Sequence, residues 1–394
     1  MRRIFGKIDP ERECLMVKKK RVLVAYFLGG AGHKSIAVTI KEGFSSLSTA
    51  WEVVLCDVEQ DLPAPSLGAL YVESWKRFMG MPRPIQHVLF FINRYFYLLA
   101  LWINGHSIKK VLDVAVKYLE IVKPDLIIAT HWGASHLFVR AREQAGLDFQ
   151  VWMINGELGG EYHLFRTGAN RYWCMTDSAR QGLVKVGVDD QRVYRCSFFL
   201  QAAFKQLKMD SRKARAELGL DPDRFTVVFS LGGEGVGKTR KYVRYFARHC
   251  RHAQLVVLTG RNAAMLKRLQ DDSIISQQSG IKIFGFLPEV LLPFQAAHVF
   301  AGKFGASFAS EAMFLRRPVI IVQLAAPHES HTKDFLVSEG FGWYLPPPRQ
   351  FVEKIEYLAT HPEDYQAVLQ GMNNELQFTG GDDIAQAAIS VLGA

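Results

Sequence analysis

Short apolar runs that end in glycine turns predict a protein built from buried parallel strands. The run RVLVAYF starts at residue 21 and leads into GGAGH at 29–33, after which SIAVTIKEGFSSL is predicted to form a helix. The run FTVVFS at 225–230 leads into GGEGVG at 232–237 and a second helix. Strand, glycine turn and helix form the repeating unit of doubly wound sheets, and the two units start about 200 residues apart. The sequence therefore predicts an α/β fold with two Rossmann-like domains that face each other across a cleft.

Further apolar runs give the domain boundaries. They predict five more strands before residue 199, and these are 51–56, 125–130, 149–154, 171–175 and 192–196. The polar helix SRKARAELGL precedes the strand at 225, so a hinge is expected near 199–210. The predicted organisation is a basic tail over 1–20, Rossmann-like domains over 21–200 and 206–375, and a C-terminal helix over 376–394.

The stretch 281–321 has the most informative pattern in the second domain. IKIF ends in Gly285-Phe286, HVFAG leads into the small-residue turn KFGAS, and a helix with Glu311 precedes the strand PVII. Strand ends and helix beginnings meet along one edge of a parallel sheet and form a ligand crevice there. Gly305 and Ala306 let the backbone approach a phosphate, and Glu311 can accept both hydroxyls of a ribose.

Five motifs in order carry a family resemblance. They are GGAGH at 29–33, GGEGVG at 232–237, TGRN at 259–262, GF at 285–286 and the stretch around Glu311. Together they resemble the monogalactosyldiacylglycerol synthases, which are similar to the N-acetylglucosaminyl transferase of peptidoglycan synthesis. The resemblance spans roughly residues 21–375. It implies a GT-B fold, a UDP-sugar bound by the second domain, a lipid acceptor and membrane contacts in the first, and a final helix that crosses back.

Three turns depart from the family pattern. KFGAS at 303–307 replaces a turn rich in Pro, Gly and Thr, and PHESH at 327–331 replaces a Gly-Gln-Glu stretch. NGE at 155–157 stands where an acidic, histidine-containing turn is expected. All three lie in the predicted site, so the identity of the donor sugar and the presence of catalytic activity depend on them.

Transfer of a sugar requires a base that takes the proton of the acceptor hydroxyl. His33 lies just past a glycine turn at a predicted helix start, where the helix dipole favours a neutral imidazole. Glu157, after the strand VWMIN, is the rival catalytic base, and His131 is a third candidate. A histidine at position 33 could instead cap the helix or donate a hydrogen bond to phosphate.

The donor-site candidates share positions in glycine turns or at strand ends. They are Gly232, Gly233, Glu234, Gly235, Arg261, Phe286, Lys303, Gly305, Ala306, Ser307, Glu311, His328 and Glu329. Arg261, Lys303 and the amides of 305–307 are expected to hold the diphosphate, so no obligatory metal ion is predicted. Phe286 is expected to offer its backbone to a uracil edge, which favours UDP as the nucleotide.

GGEGVGKT at 232–239 also matches the phosphate-binding loop of P-loop NTPases. Such enzymes need an acidic residue at the end of a neighbouring strand to hold Mg²⁺. The next strand, QLVVLTG, ends in Thr259-Gly260 instead. A P-loop NTPase therefore remains an alternative, in which Lys238 would be essential.

Composition and charge bear on the partners. Apolar residues make up 49% of the chain and the net charge is +10. Through Arg21 the chain has eight Lys or Arg against three Asp or Glu, so the tail could dock on anionic lipid or simply be a solvated leader. Because no nucleic-acid recognition module is found, nucleic acid is not expected as a partner.

The most apolar run is IQHVLFFINRYFYLLALWI at 85–103. Its length approaches a membrane span, but Asn93 and Arg94 in the middle disfavour insertion. An interfacial or acyl-chain-binding helix is one interpretation, and a helix buried against the first sheet is the other. Neither CxxC spacing nor a secretory signal is found, so we expect a cytoplasmic protein that is peripheral on the inner face of the membrane.

The sequence thus predicts an inverting glycosyltransferase that moves a hexose from a UDP-sugar to a lipid, with diacylglycerol as the preferred acceptor. A catalytically inactive GT-B protein that binds nucleotide or lipid is an alternative, together with the P-loop NTPase.

Overall fold

The computed structural model describes residues 19–27, 31–48, 50–62, 81, 84–85, 88, 105–207, 210–233, 237–324 and 329–393. The predictions for residues 1–18, most of 85–103, Glu234, Gly235 and His328 lie outside the described residues. The described part contains two six-stranded sheets with helices packed on them. The predicted α/β class with two Rossmann-like domains is therefore confirmed.

The first sheet is parallel throughout and has the order β2-β1-β3-β4-β5-β6. Its strands are β1 (Lys20–Tyr26), β2 (Trp51–Asp57), β3 (Leu126–Ala129), β4 (Gln150–Asn155), β5 (Arg171–Cys174) and β6 (Val193–Arg195). The helices that accompany it are α1 (Ala31–Leu47), α2 (Val58–Asp61), α3 (Gly105–Val122), α4 (Trp132–Ala145), α5 (Asp177–Lys185) and α6 (Ala202–Lys205).

The second sheet is also parallel and has the order β12-β11-β10-β7-β8-β9. Its strands are β7 (Phe225–Ser230), β8 (Ala253–Leu258), β9 (Ile281–Phe284), β10 (Val299–Gly302), β11 (Val319–Ile321) and β12 (Gly342–Tyr344). Its helices are α7 (Ser211–Glu217), α8 (Thr239–His249), α9 (Ala263–Gln270), α10 (Ser273–Ser276), α11 (Leu291–Ala296), α12 (Ala306–Phe314), α13 (Glu329–Ser338), α14 (Pro348–Thr360), α15 (Pro362–Gly371) and α16 (Gly380–Leu392).

The central strands contain continuous apolar runs because both faces of each sheet are covered by helices. Val22, Leu23 and Val24 of β1 are fully buried, and so are Val227 and Val228 of β7. Successive side chains of a strand point to opposite faces, so each of these runs contributes to the core on both sides of its sheet.

The last helix, α16, packs on α1 of the first unit. A Cβ placed on Gly43 of α1 would lie 2.4 Å from the carbonyl oxygen of Gly381 in α16, so only glycines allow the two helix backbones to approach this closely. The carboxylate of Asp383 accepts a hydrogen bond of 2.7 Å from the amide of Ser197. The C-terminal helix, which follows the second unit in the chain, is thereby fixed to the first unit.

Each sheet has one point where the strand order reverses direction. In the first sheet the chain proceeds from β1 to β2 on one side and then places β3 on the other side of β1. In the second sheet it proceeds from β7 to β8 and β9, and then places β10 on the other side of β7. Ligands of open parallel sheets bind at these switch points, beside the carboxyl ends of the strands.

The cysteines and the helices give two further facts about the described residues. Cys56, Cys174, Cys196 and Cys250 are buried and not disulfide-bonded. Within the described ranges, no helix combines the length and the hydropathy that crossing a bilayer requires.

Candidate functional site

His33 lies at the switch point of the first sheet. It is the third residue of α1, which follows β1, and its Nδ1 lies 2.6 Å from the carbonyl oxygen of Thr130, directly after β3. A carbonyl oxygen only accepts, so Nδ1 carries the proton in this hydrogen bond. The neutral ring then has its lone pair on Nε2, which is the arrangement that a general base needs.

The buried His131 and the partly buried His136 lie on the helix that follows β3. The ring of His131 lies 4.7 Å from that of His33 at 89°, and its Nδ1 accepts a hydrogen bond of 3.0 Å from the amide of Gly133. Burial, with a smaller contribution from His33, holds the pKa of His131 well below its usual range. Burial also lowers the pKa of His136 to about 4. Both rings are therefore neutral near pH 7, and His131 at 3% exposure is a poor candidate for direct contact with an acceptor.

Glu157 lies in the turn that follows β4. Its amide donates a hydrogen bond of 3.0 Å to the side-chain oxygen of Asn155. The turn packs on α1, because a Cβ placed on Gly156 would lie 2.9 Å from the Cδ1 atom of Ile36. Ile36 is three residues along α1 from His33, so both candidate bases are associated with the same side of this helix.

The switch point of the second sheet brings backbone and charge together. Gly302 ends β10 with a φ of 141°, and a Cβ at this position would lie 1.7 Å from the carbonyl oxygen of Ser230. The next amide, of Lys303, donates a hydrogen bond of 3.0 Å to that same oxygen. The ammonium group of Lys303 would lie 3.7 Å from a Cβ placed on Gly232, so the lysine and the glycine turn after β7 are neighbours.

Lys303 is paired with Glu329, the first residue of α13. Their charged atoms are 2.9 Å apart, and Glu329 is only 4% exposed. A carboxylate buried this deeply needs a charged partner, because desolvation of an unpaired ion costs several kcal/mol, of order 3–5 when one partner is removed. The pair therefore fixes the position of the Lys303 ammonium group at the carboxyl edge of the sheet.

Helix α12 carries the candidates Ala306, Ser307 and Glu311. The first amides of any helix have no intrahelical acceptor. In α12 no side chain caps them either, because the residue before the helix is Gly305. A Cβ placed on Gly32 in α1 would lie 3.4 Å from the hydroxyl of Ser307, which brings the two units into contact at this point. Amides at a helix start bind anions well.

Glu311 lies four residues after Ser307 and thus on the same face of α12. Solvent reaches part of its side chain, yet desolvation of the carboxyl raises its pKa to about 8. Among the described residues, no charged neighbour contributes to this shift in pKa. A group of this kind is suited to a ligand that donates hydrogen bonds.

Arg261 and Phe286 form a second feature of this edge. The amide of Arg261 donates a hydrogen bond of 2.7 Å to the carbonyl oxygen of Gly233, so the turns after β7 and β8 are connected. The guanidinium carbon lies 4.7 Å from the centre of the Phe286 ring, which is 53% exposed. An exposed ring under a cation can pack against a planar base while the cation approaches a phosphate.

The predicted residues thus form two groups. His33 lies in the first turn of α1 and Glu157 in a turn that packs on this helix. The other group surrounds the ends of β7, β8 and β10 and consists of Gly232, Gly233, Arg261, Lys303 and Glu329. Thr130 is a residue that sequence reasoning missed, and its position at the end of the predicted strand 125–130 was the only signal. Among the described residues, no three His, Cys, Asp or Glu side chains are grouped to hold a metal ion, and metal independence stays a prediction.

Comparisons with known proteins extend this description. No family model matches the chain. It is 22% identical over 361 residues to a probable monogalactosyldiacylglycerol synthase 2 from Oryza sativa subsp. japonica, covering 88% of this chain and 75% of the relative. It is 19% identical over 367 residues to a processive diacylglycerol beta-glucosyltransferase from Staphylococcus saprophyticus, covering 91% of this chain and 90% of the relative.

Solved structures agree on the fold. MurG from Acinetobacter baumannii superimposes with a TM-score of 0.58 at 11% identity, covering 94% of this chain and 100% of that chain. HepE from Anabaena, solved in complex with UDP-glucose, superimposes with a TM-score of 0.54 at 13% identity, covering 93% and 94%. The predicted resemblance is confirmed: the chain is a homologue of the monogalactosyldiacylglycerol synthase-like glycosyltransferases and has the two-domain GT-B fold.

Proposed function

We propose that the protein is an inverting glycosyltransferase that moves a hexose from a UDP-sugar to a hydroxyl of diacylglycerol. One observation carries the proposal: complementary chemistry lies at the two switch points, with His33 at one and Lys303 and the start of α12 at the other. Gly32 and Ser307 bring these two regions into contact. The relatives named above support the choice of lipid acceptor, and HepE with UDP-glucose supports the choice of nucleotide.

The proposed reaction is a single displacement. The acceptor hydroxyl gives its proton to Nε2 of His33 while its oxygen forms a bond to the anomeric carbon of the sugar. The bond from that carbon to the diphosphate breaks, and its electron pair leaves with UDP. Because attack and departure occur on opposite sides of the carbon, the anomeric configuration inverts. Glu157 is the second candidate for the proton acceptor.

The second unit binds the leaving group in this proposal. The ammonium group of Lys303, the guanidinium of Arg261 and the amides of 305–307 stabilise the negative charge that develops on UDP. Glu311 accepts hydrogen bonds from the ribose, and Phe286 contacts the uracil. Cations and helix amides then serve in place of a metal ion, so we propose that none is obligatory.

The departures from the family pattern are compatible with an active enzyme. The KFGAS turn retains a lysine and a glycine before a helix, and Lys303 and Glu329 form an ion pair of 2.9 Å. A P-loop NTPase finds less support. The neighbours of β7 are β8 and β10, which end at Leu258 and Gly302, so no carboxylate ends either strand.

The test is an assay with radiolabelled UDP-galactose, UDP-glucose and UDP-N-acetylglucosamine on mixed lipid vesicles that contain diacylglycerol. We expect label from one UDP-hexose in the lipid extract, as a β-glycoside by NMR. Transfer should be greater on anionic vesicles at low salt, as expected for a peripheral enzyme at the inner face of a membrane. Binding of UDP without transfer from any donor would instead favour an inactive nucleotide-binding protein.

A further inference from the structure

Thr130 holds His33 at two points. Its carbonyl oxygen accepts the hydrogen bond of 2.6 Å from Nδ1 of His33, and its hydroxyl donates one of 3.0 Å to the carbonyl oxygen of His33. The first contact fixes the ring and the second fixes the backbone that carries it. A single residue thereby controls both the position of the imidazole and the nitrogen that bears its proton.

Thr130 is itself fixed by the sheet. It is fully buried, and its amide donates a hydrogen bond of 2.9 Å to the carbonyl oxygen of Ala25, the penultimate residue of β1. The register of the sheet pairs Ala25 with Ala129, so Thr130 directly follows a residue that is held in the sheet. Two central strands therefore define the position of the His33 ring.

His131 lies beside the His33 ring and is itself fixed by contacts with other residues. Its side chain caps α4 through the amide of Gly133, and it packs against Phe27 at 5.1 Å and Trp132 at 4.9 Å between ring centres. Since Nδ1 of His131 accepts from an amide, the proton of its neutral ring is on Nε2. A rigid, uncharged ring thus lies perpendicular to His33 at 4.7 Å.

We propose that Thr130 and His131 are positioning residues, which hold His33 in the tautomer with its lone pair on Nε2 and orient that atom toward the acceptor hydroxyl. The proposal rests on the proposed function, in which His33 takes the proton. Misplacement of a catalytic group by about 1 Å can reduce a rate on the order of 100-fold. Loss of this support should therefore lower kcat and leave donor affinity unchanged.

The variants are chosen to separate positioning from folding. Thr130→Val removes the hydroxyl and keeps the side-chain shape and the carbonyl. Thr39→Val is its matched control, because Thr39 is a buried threonine of the same helix as His33, and its hydroxyl donates a bond of 3.0 Å to the carbonyl oxygen of Ser35. His131→Asn removes the ring but retains an oxygen that can cap α4.

The first measurement is the ¹⁵N NMR spectrum of protein labelled at histidine, with the His33 signal assigned from its absence in His33→Gln. The wild-type ring should show a protonated Nδ1 and an unprotonated Nε2. Thr130→Val and His131→Asn should shift this signal toward a mixture of tautomers, whereas Thr39→Val should not. A wild-type ring protonated on Nε2, or no shift in either variant, would overturn the proposal.

The second measurement is kinetic. Both positioning variants should lose about tenfold to 100-fold in kcat, with UDP affinity by calorimetry within twofold of wild type. Equal kcat for Thr130→Val and Thr39→Val would remove the positioning role. If the wild type transfers no sugar but the NMR shifts occur as expected, the proposed function fails while the positioning of His33 stands. If Thr130→Val does not fold, His131→Asn carries the same test.

Discussion

The two switch points have the same topology but are built from different groups, neutral hydrogen-bonded side chains at the first and a buried ion pair at the second. At the first, His33 is held by the carbonyl and hydroxyl of Thr130 and lies beside the neutral ring of His131. At the second, a lysine and a buried carboxylate form an ion pair next to backbone amides. In the proposed function, the same arrangement of parallel strands serves to remove a proton at the first switch point and to hold an anion at the second.

The physical reason lies in the cost of burial. Neutral polar groups can be buried when their hydrogen bonds are satisfied, and the His33–Thr130 contacts meet that condition. A charge needs a partner of opposite sign, and Glu329 provides one for Lys303. A base has to stay uncharged until it accepts a proton, whereas a site for a diphosphate needs cations, so the difference between the two units fits the roles proposed for them.

The largest effect is expected from His33→Ala. If the first switch point provides the base, sugar transfer should fall on the order of 10²-fold to 10⁴-fold, the usual contribution of general base catalysis. UDP affinity by calorimetry should stay within about twofold, because the groups proposed to bind UDP belong to the second unit. Transfer is measured as label incorporated into lipid.

His163→Gln is the control for His33→Ala, since His163 is an exposed histidine of the same unit. We expect wild-type transfer from it. Should His33→Ala retain more than a tenth of the activity while Glu157→Gln is inactive, the base would be Glu157, and the first switch point would have only a structural task.

Glu311→Gln is expected to have the next largest effect and concerns the second switch point. Loss of charged hydrogen bonds to the ribose should weaken UDP binding by about 1–3 kcal/mol. Because desolvation raises the pKa of Glu311 to about 8, the free protein holds a proton there at pH 7. UDP binding should therefore release a proton at pH 7 and become tighter between pH 6 and 8, as calorimetry in buffers of different ionisation enthalpy would show.

The same raised pKa gives a stability control for Glu311→Gln. In the unfolded chain this carboxyl ionises near 4.5, and in the folded protein near 8, so its contribution to stability is lost as pH rises through that window. Between pH 5 and 8, the free energy of unfolding of Glu311→Gln should exceed that of wild type by about 1–3 kcal/mol. Glu353 is an exposed residue of the same unit, so Glu353→Gln should change neither the free energy of unfolding nor the affinity for UDP. Unaltered UDP affinity in Glu311→Gln would remove Glu311 from the site.

The fold could be predicted because its signals are local. Strand β7 was predicted at its observed bounds, since an apolar run followed by a glycine turn specifies both ends. Glu311 could be related to the turn before it because four residues in a helix define a face. The Thr130–His33 contact depends on the register between β1 and β3, and a threonine after a strand has no signal of its own. The Lys303–Glu329 pair joins two turns whose approach is fixed only by packing.

The smallest effect is expected from Lys238→Ala, which tests which lysine serves the second switch point. Lys238 is exposed at the start of α8, and its amide donates a hydrogen bond of 3.2 Å to the side chain of Gln323. Because the Lys238 side chain is exposed, its loss removes only a surface charge near the site. Transfer should therefore stay within about tenfold of wild type. Neither wild type nor Lys238→Ala should hydrolyse ATP or GTP with Mg²⁺.

Lys303→Ala is the comparator, because that ammonium group is paired with a buried carboxylate beside the glycine turn. A greater loss of transfer from Lys238→Ala than from Lys303→Ala would reverse the assignment, and nucleotide hydrolysis that depends on Lys238 would make the second unit a P-loop domain.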